Sequence, residues 1–323
     1  MIRKKVILDV DPGVDDALAI LLALQAAELD VRGITVANGN VPLSIGLQNA
    51  LKIVELACSN IDVYAGAEEP LRRQCVYATD FHGNSGLGNT ELPSPNAGSA
   101  GDAVEFLIEH LFENVDTTVI AVAPLTNLAL AESRRPGVLQ RAGEVVVMGG
   151  ALLESGNVTP CAEFNFYVDP EAAQVVLESG AKVTVIPLDA THQVALSGSV
   201  LHQYLNDCPT SISAFCEAAM LPGMQHMHEL FGTDLFYLHD PLAVAYAIDN
   251  SFCEVQDYWV EVETKGELSR GQMISDRRSF LDPTRKKGSK VSCAVEVFTE
   301  QVLQFFVERV LHTRFPIKET GSG

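Results

Sequence analysis

Positive charge is scarce in this chain. It carries 22 Lys and Arg against 42 Asp and Glu, a formal net charge of −20 at pH 7. So acidic a surface repels phosphate backbones and anionic headgroups, so neither nucleic acid nor membrane is an expected partner. Paired-cysteine motifs are also missing. The seven cysteines, Cys58, Cys75, Cys161, Cys208, Cys216, Cys253 and Cys293, are scattered, and no CxxC occurs. That pattern predicts reduced thiols in a cytoplasmic protein rather than a disulfide framework or a zinc site. No apolar run approaches the ~20 residues that span a bilayer. Met1-Ile2-Arg3-Lys4-Lys5 leads straight into a short apolar strand, too short for a signal peptide and with no cleavage site after it. There is one tryptophan, Trp259, no internal repeat, and no stretch that reads as a linker.

What is present is a globular composition: 323 residues, 47% hydrophobic, enough for a sizeable core. Short β-type runs alternate with helical periodicity. Strands are expected at Val6–Leu8, Gly33–Val36, Ile61–Tyr64, Thr118–Val122, Val145–Met148 and Val183–Ile186, and late ones at Val260–Val262 and Val291–Val297. Helices are expected at about Asp15–Glu28, Leu43–Cys58, Asp102–Glu113 and Pro170–Ser179, from Asp240-Pro241 onward, and at the chain's end. Long polar loops run from Gly66 to Gly101 and from Gly149 to Val168, and loops of that length are usually functional or disordered. Residues 196–236 read as helices with a mobile connection. The alternation predicts one doubly wound α/β domain over residues 1–318, with a mainly parallel, Rossmann-like sheet and a helical insertion. Residues 319–323 read as a tail or a cloning remnant. Ligands in such folds sit beyond the carboxyl ends of the strands. The polar clusters at 9–16, 38–40, 157–165 and 189–192 follow strand ends and would converge there.

The segment Asp9-Val10-Asp11-Pro12-Gly13-Val14-Asp15-Asp16-Ala17 places four carboxylates at one strand-to-helix turn. They repel one another unless a cation neutralises them, and a hard divalent ion with oxygen ligands is the natural solution. Helix capping is the competing explanation, but it accounts for one or two acids, not four. Phosphatases of the haloacid dehalogenase type also begin with a strand and Asp-x-Asp. They expect Thr or Val where this chain has Gly13, and they do not double the acid at the helix start.

The turn resembles the N-terminal signature of the inosine-uridine-preferring nucleoside hydrolases, and further segments follow in that family's order across nearly the whole chain. These are Asn38-Gly39-Asn40, His82-Gly83-Asn84-Ser85-Gly86-Leu87-Gly88, Pro124-Leu125-Thr126-Asn127-Leu128-Ala129, Met148-Gly149-Gly150, Gly156-Asn157 and Ala162-Glu163-Phe164-Asn165. Asp169-Pro170-Glu171-Ala172-Ala173, Thr191-His192-Gln193 and His239-Asp240-Pro241 complete the set. Asn38, where family members often carry Phe or Val, and Cys161 depart from the usual pattern.

The resemblance implies hydrolysis of the N-glycosidic bond of ribonucleosides to ribose and free base, in nucleoside catabolism and in purine and pyrimidine salvage. It implies a Ca²⁺ held by Asp11, Asp16, Asp240 and the backbone carbonyl of Val122. Asp11 would be the general base on a calcium-bound water, and His239 the proton donor to the departing base. Asp15, Asn40 and Asn165 would hold ribose hydroxyls, Asn157 and Glu163 the 5′-hydroxyl end, and Phe164 would pack near the ring oxygen. Met148 joins the substrate-binding set, and His82 would stack on the base. The family forms homodimers and homotetramers. With Trp259 alone, a purine sandwiched between tryptophans is disfavoured, and inosine and uridine are the expected substrates.

The remaining histidines take structural readings: His110, His202 and His312 on helix surfaces, His192 orienting its neighbours, and His226 and His228 on the surface of the variable region. Two other functions stay open. A non-catalytic nucleoside or ribose binder would be expected to lose Asp11 or His239, and both are present. A metal-dependent phosphohydrolase needs basic groups for phosphate, and only Arg72-Arg73 lies near the long loop.

Overall fold

A computed structural model describes residues 3–88, 90–201 and 210–311. Strand β1 (Lys4–Val10) lies inside a nine-stranded sheet, third from one edge. Its apolar run Val6–Leu8 alternates between two cores. Val6 and Leu8 face one and Ile7 the other, all fully buried. A strand buried on both faces reads as continuous apolar sequence, which is why this one was legible. β2 (Leu29–Val36) and β3 (Val63–Ala65) extend the sheet to one side. β4 (Thr118–Ala121), β5 (Glu144–Met148) and β6 (Val183–Ile186) extend it to the other. All of these pairings are parallel. Beyond β6 come β11 (Ser289–Val297), parallel to it, and then β9 (Cys253–Val262) and β10 (Met273–Ser275), both antiparallel to their neighbours.

The chain leaves β1 toward β2 and returns on its other side at β4. The carboxyl ends of β1 and β4 therefore flank the point where winding reverses, the crevice in which doubly wound sheets bind ligands. Helix α1 (Val14–Gln25) follows β1 directly. It is buried from Val14 to Ala23 and packs against the helix His239–Ile248. That contact carries His239 and Asp240, remote in sequence, to the acidic turn.

Several expectations are corrected. The long loop contains a short helix, α3 (Thr79–His82), and the second loop contains α6 (Phe164–Val168). The region 196–236 is not only helical: β7 (Ala195–Ser197) pairs with β8 (Leu235–Tyr237), and the long helix Ser211–Phe231 lies between them. Three-residue strands carry too little alternation to stand out. His110 is buried rather than on a surface: its Nε2 lies 3.2 Å from Thr117 Oγ1 and its ring packs on Phe106. His202, His312 and the proposed tail 319–323 lie outside the described residues.

Candidate active site

The turn after β1 folds around its own acids. Asp16 Oδ1 accepts from the Asp11 amide at 2.9 Å, and Oδ2 accepts from the Gly13 amide and Asn40 Nδ2, both at 3.0 Å. The capping explanation thus holds for Asp16. It does not cover the others. Asp11 Oδ2 accepts from the Asn40 amide at 2.6 Å, while Asp11 Oδ1 and Asp15 Oδ1 are buried with no hydrogen-bond partner. Two glycines make the packing possible. A Cβ on Gly39 would collide with Asp11 Oδ2, and one on Gly13 would come within 2.8 Å of Asn40 Nδ2 and His82 Nδ1.

Oxygens of Asp15, Asp16 and Asp240 lie within 4.8 Å of one another, all three residues buried. Burial is the main cause that pushes every one of these carboxyls up, and neighbouring acids add to it at Asp11, Asp16 and Asp240. Asp15 and Asp16 rise to about 6, and Asp11 and Asp240 stand well above the usual carboxylate range. Buried acids whose oxygens have no donor call for a positive charge among them, and an all-oxygen donor set suits a hard divalent cation. The residues present fit such an ion. Asp15, expected on the ribose, belongs to the gathered trio. The Val122 carbonyl, at the end of β4, accepts from Asn165 Nδ2 at 2.7 Å.

Above these acids opens a cavity of about 790 Å³. Asp15, Asn40, His82, Val122, Met148, Asn157, Glu163, Phe164, Asn165, His239 and Asp240 all line it, while Asp11 and Asp16 lie beneath, fully buried. Glu163 caps α6, accepting from the amides of Asn165, Phe166 and Gly150 at 2.9, 3.2 and 2.9 Å, and Asn157 Oδ1 accepts from the Phe164 amide at 3.0 Å. Burial raises the Glu163 carboxyl to about 7. The lining also has an aromatic and apolar share, with Tyr77, Phe81, His192, Met227, Leu230 and Tyr237.

His82 is held more tightly than a stacking role requires. Its Nδ1 accepts from the Val14 amide at 3.1 Å, its Nε2 lies 3.9 Å from Asp15 Oδ1, and burial lowers it to about 4. His239 begins its helix with Nδ1 2.8 Å from Thr191 Oγ1. Its ring meets those of His192 and Tyr237 at centroid separations of 5.8 and 5.7 Å. Burial, then His192 and His82, lowers His239 to about 3, so at rest the imidazole is neutral.

Sequence reasoning missed three cavity residues in particular. His192, read as structural, lines the cavity, and its place in a polar cluster after β6 was the available signal. His226 is half-buried in the wall, whereas His228 is exposed as expected. Tyr237 offered no signal. The polar motif residues outside the cavity are struts. Asp9, raised by burial to about 7, accepts from Thr35 Oγ1 and Asn127 Nδ2, and Asn127 Oδ1 accepts from the Ala67 amide. Asp169 likewise joins Thr126 to the Leu71 and Ala172 amides.

Comparison with known proteins agrees with this geometry. Residues 6–304 match the family model described as inosine-uridine preferring nucleoside hydrolase. The chain is 36% identical to a pyrimidine-specific ribonucleoside hydrolase RihA of Salmonella enteritidis over 277 residues, which is 84% of this chain and 88% of that protein. It superposes on a plant nucleoside hydrolase with a TM-score of 0.91 at 34% identity, covering 97% of this chain and 100% of the other. A purine-preferring ribonucleoside hydrolase from Gardnerella vaginalis follows at 0.88 and 32%, with coverage of 96% and 98%. The chain is therefore a hydrolase of N-glycosyl compounds, a member of the inosine-uridine preferring nucleoside hydrolase family.

Proposed function

We propose that this enzyme releases ribose and free base from ribonucleosides, inosine and uridine foremost, with Ca²⁺ as its cation. The observation that carries the reading is the set of buried carboxylates with unpartnered oxygens beneath a cavity lined by both polar and aromatic side chains. Asp11, Asp16, Asp240 and the Val122 carbonyl would hold the ion, and Asp15 stands close enough to join them. When bound, such a cation makes a water easier to deprotonate and favours ribose hydroxyls as ligands.

The chain's own groups do the rest. Asp11, whose Oδ1 is free of donors, takes a proton from the attacking water. Asp15, Asn40 and Asn165 hold ribose hydroxyls, while Asn157 and Glu163 receive the 5′-hydroxyl end. Phe164 and Met148 pack on the sugar, and His82 borders the base. Positive charge grows on the sugar as the bond opens, and the surrounding carboxylates and amide oxygens stabilise it. His239 protonates the departing base. Neutral at rest, it gains its proton as negative charge gathers on the base beside it and offsets the desolvation that kept it uncharged.

The strong acidity and the lack of Lys or Arg among the cavity residues disfavour a 5′-phosphate. We further read residues 1–318 as one domain, acting in cytoplasmic nucleoside salvage as a homodimer or homotetramer. A crystal structure grown with calcium tests the site. An ion bounded by Asp11, Asp16 and Asp240 is expected. An ion-free turn at saturating calcium, or another set of ligands, would overturn the assignment.

A further inference from the structure

Thr191 ends the short helix α8 (Leu188–Thr191) and is fully buried. A threonine in a helix commonly turns its hydroxyl back to a carbonyl three or four residues earlier. This one is spent on His239 Nδ1 instead, at 2.8 Å, and has no other hydrogen-bond partner among the described residues. If Nδ1 carried the hydrogen at rest and donated it, the buried hydroxyl hydrogen would have no acceptor among the described residues, which is the costlier arrangement. The hydroxyl therefore donates to Nδ1, and the neutral ring carries its hydrogen on Nε2. That nitrogen has no protein partner among the described residues, and the ring lines the cavity.

We infer that Thr191 is a positioning residue for the leaving-group step, holding the His239 ring so that Nε2 keeps a hydrogen directed to the base. The inference rests on the reading that His239 protonates the departing base. A hydroxyl suits the task because it serves both charge states: it donates to Nδ1 of the neutral ring and, after rotating, accepts from Nδ1–H of the charged one. In the step itself the C–N bond breaks and the electron pair stays on the base. The ring, having first taken up a solvent proton so that both nitrogens carry hydrogen and Thr191 Oγ1 accepts from Nδ1–H, passes its Nε2 proton to that pair and is left as the neutral Nδ1–H form. The proton delivered equals the one Asp11 takes from the attacking water, and exchange with solvent resets both groups.

Thr191→Val, nearly isosteric, and Thr191→Ser, which restores the hydroxyl, are compared with His239→Ala. Substrates are inosine and p-nitrophenyl riboside, whose leaving group needs no proton. His239→Ala is expected to lose on the order of 10²-fold or more in kcat on inosine and little on the nitrophenyl riboside. Thr191→Val should show the same selectivity at about 10-fold with KM nearly unchanged, Thr191→Ser should recover most of it, and Thr191→Val should add nothing to His239→Ala. Nitrogen-15 NMR of the unaltered protein should find His239 as the Nε2–H tautomer, a readout that stands even if the valine variant fails to fold. Equal losses on both substrates for Thr191→Val, no recovery by serine, or a resting Nδ1–H tautomer would overturn the inference alone. An unselective His239→Ala would remove the proton-donor reading and this inference with it.

Discussion

Removing the cation should make the protein's stability fall as pH rises, and restoring it should help most at high pH. The carboxyls of Asp15 and Asp16 stand at about 6 in the cation-free fold against 3.8 when unperturbed. The folded state therefore holds protons that the unfolded chain has released. For an acid raised in this way, stability is intact below the unfolded value and is lost as pH climbs toward the folded one. The window opens near pH 4 and extends past 6, because Asp11 and Asp240 are raised further. At ~1.4 kcal/mol per unit, the shifts of Asp15 and Asp16 each cost about 3 kcal/mol by neutral pH. A cation replaces those protons and competes with them, so its affinity climbs through the same window. At 100 times its Kd it adds about 2.7 kcal/mol. With an unfolding entropy of ~2.1 cal/mol/K per residue over 323 residues, that is a Tm rise of about 4 °C. The assay is thermal unfolding of metal-stripped protein at pH 5 and pH 7.5, with and without added calcium. A rise of about 4 °C at pH 7.5 and under ~1 °C at pH 5 is expected. An equal rise at both, or metal-free stability flat from pH 4 to 7, would refute the reasoning.

Three other outcomes follow from the same geometry. Asp11→Asn removes the proton acceptor but keeps the shape, so kcat should fall on the order of 10²–10⁴-fold while calorimetry still detects nucleoside binding; near-normal kcat would dismiss Asp11 as the base. Gly39→Ala places a methyl against Asp11 Oδ2, and displacing that carboxylate by even ~1 Å should cost on the order of 10²-fold in turnover with the fold retained; full activity would show that the close approach does not matter. Uridine should exceed UMP in kcat/KM on the order of 10²-fold or more, since a phosphate would meet Glu163 with no cation of the protein to pair it; comparable values would contradict the assignment of Glu163.

The parts of the fold that could be read were those where one physical signal dominates. β1, β4, β5 and β6 are buried on both faces and show as apolar runs, and the acidic turn follows the carboxyl end of β1. The meeting of the acidic turn with His239-Asp240 was implied by the family resemblance and not by topology; it comes about through the packing of α1 on the helix that begins at His239. The pairing of β7 with β8 was not legible, because it rests on three-residue strands joined across the long helix Ser211–Phe231. Tyr237 escaped for the same reason, since β8 is brought to His239 by that pairing and no local pattern encodes it, whereas His192 sat in a polar cluster after β6 that was read as structural. Asp15 was assigned to the ribose alone because spacing cannot show which of two adjacent acids turns toward Asp240.

The central claim is tested most directly by measuring reducing-sugar release over a panel of ribonucleosides, with metal-stripped enzyme and with calcium restored. Inosine and uridine should be cleaved to ribose and free base, activity should vanish on stripping, and calcium should restore it. Release that persists without any divalent cation, or no release from any ribonucleoside when calcium is saturating, would contradict the account.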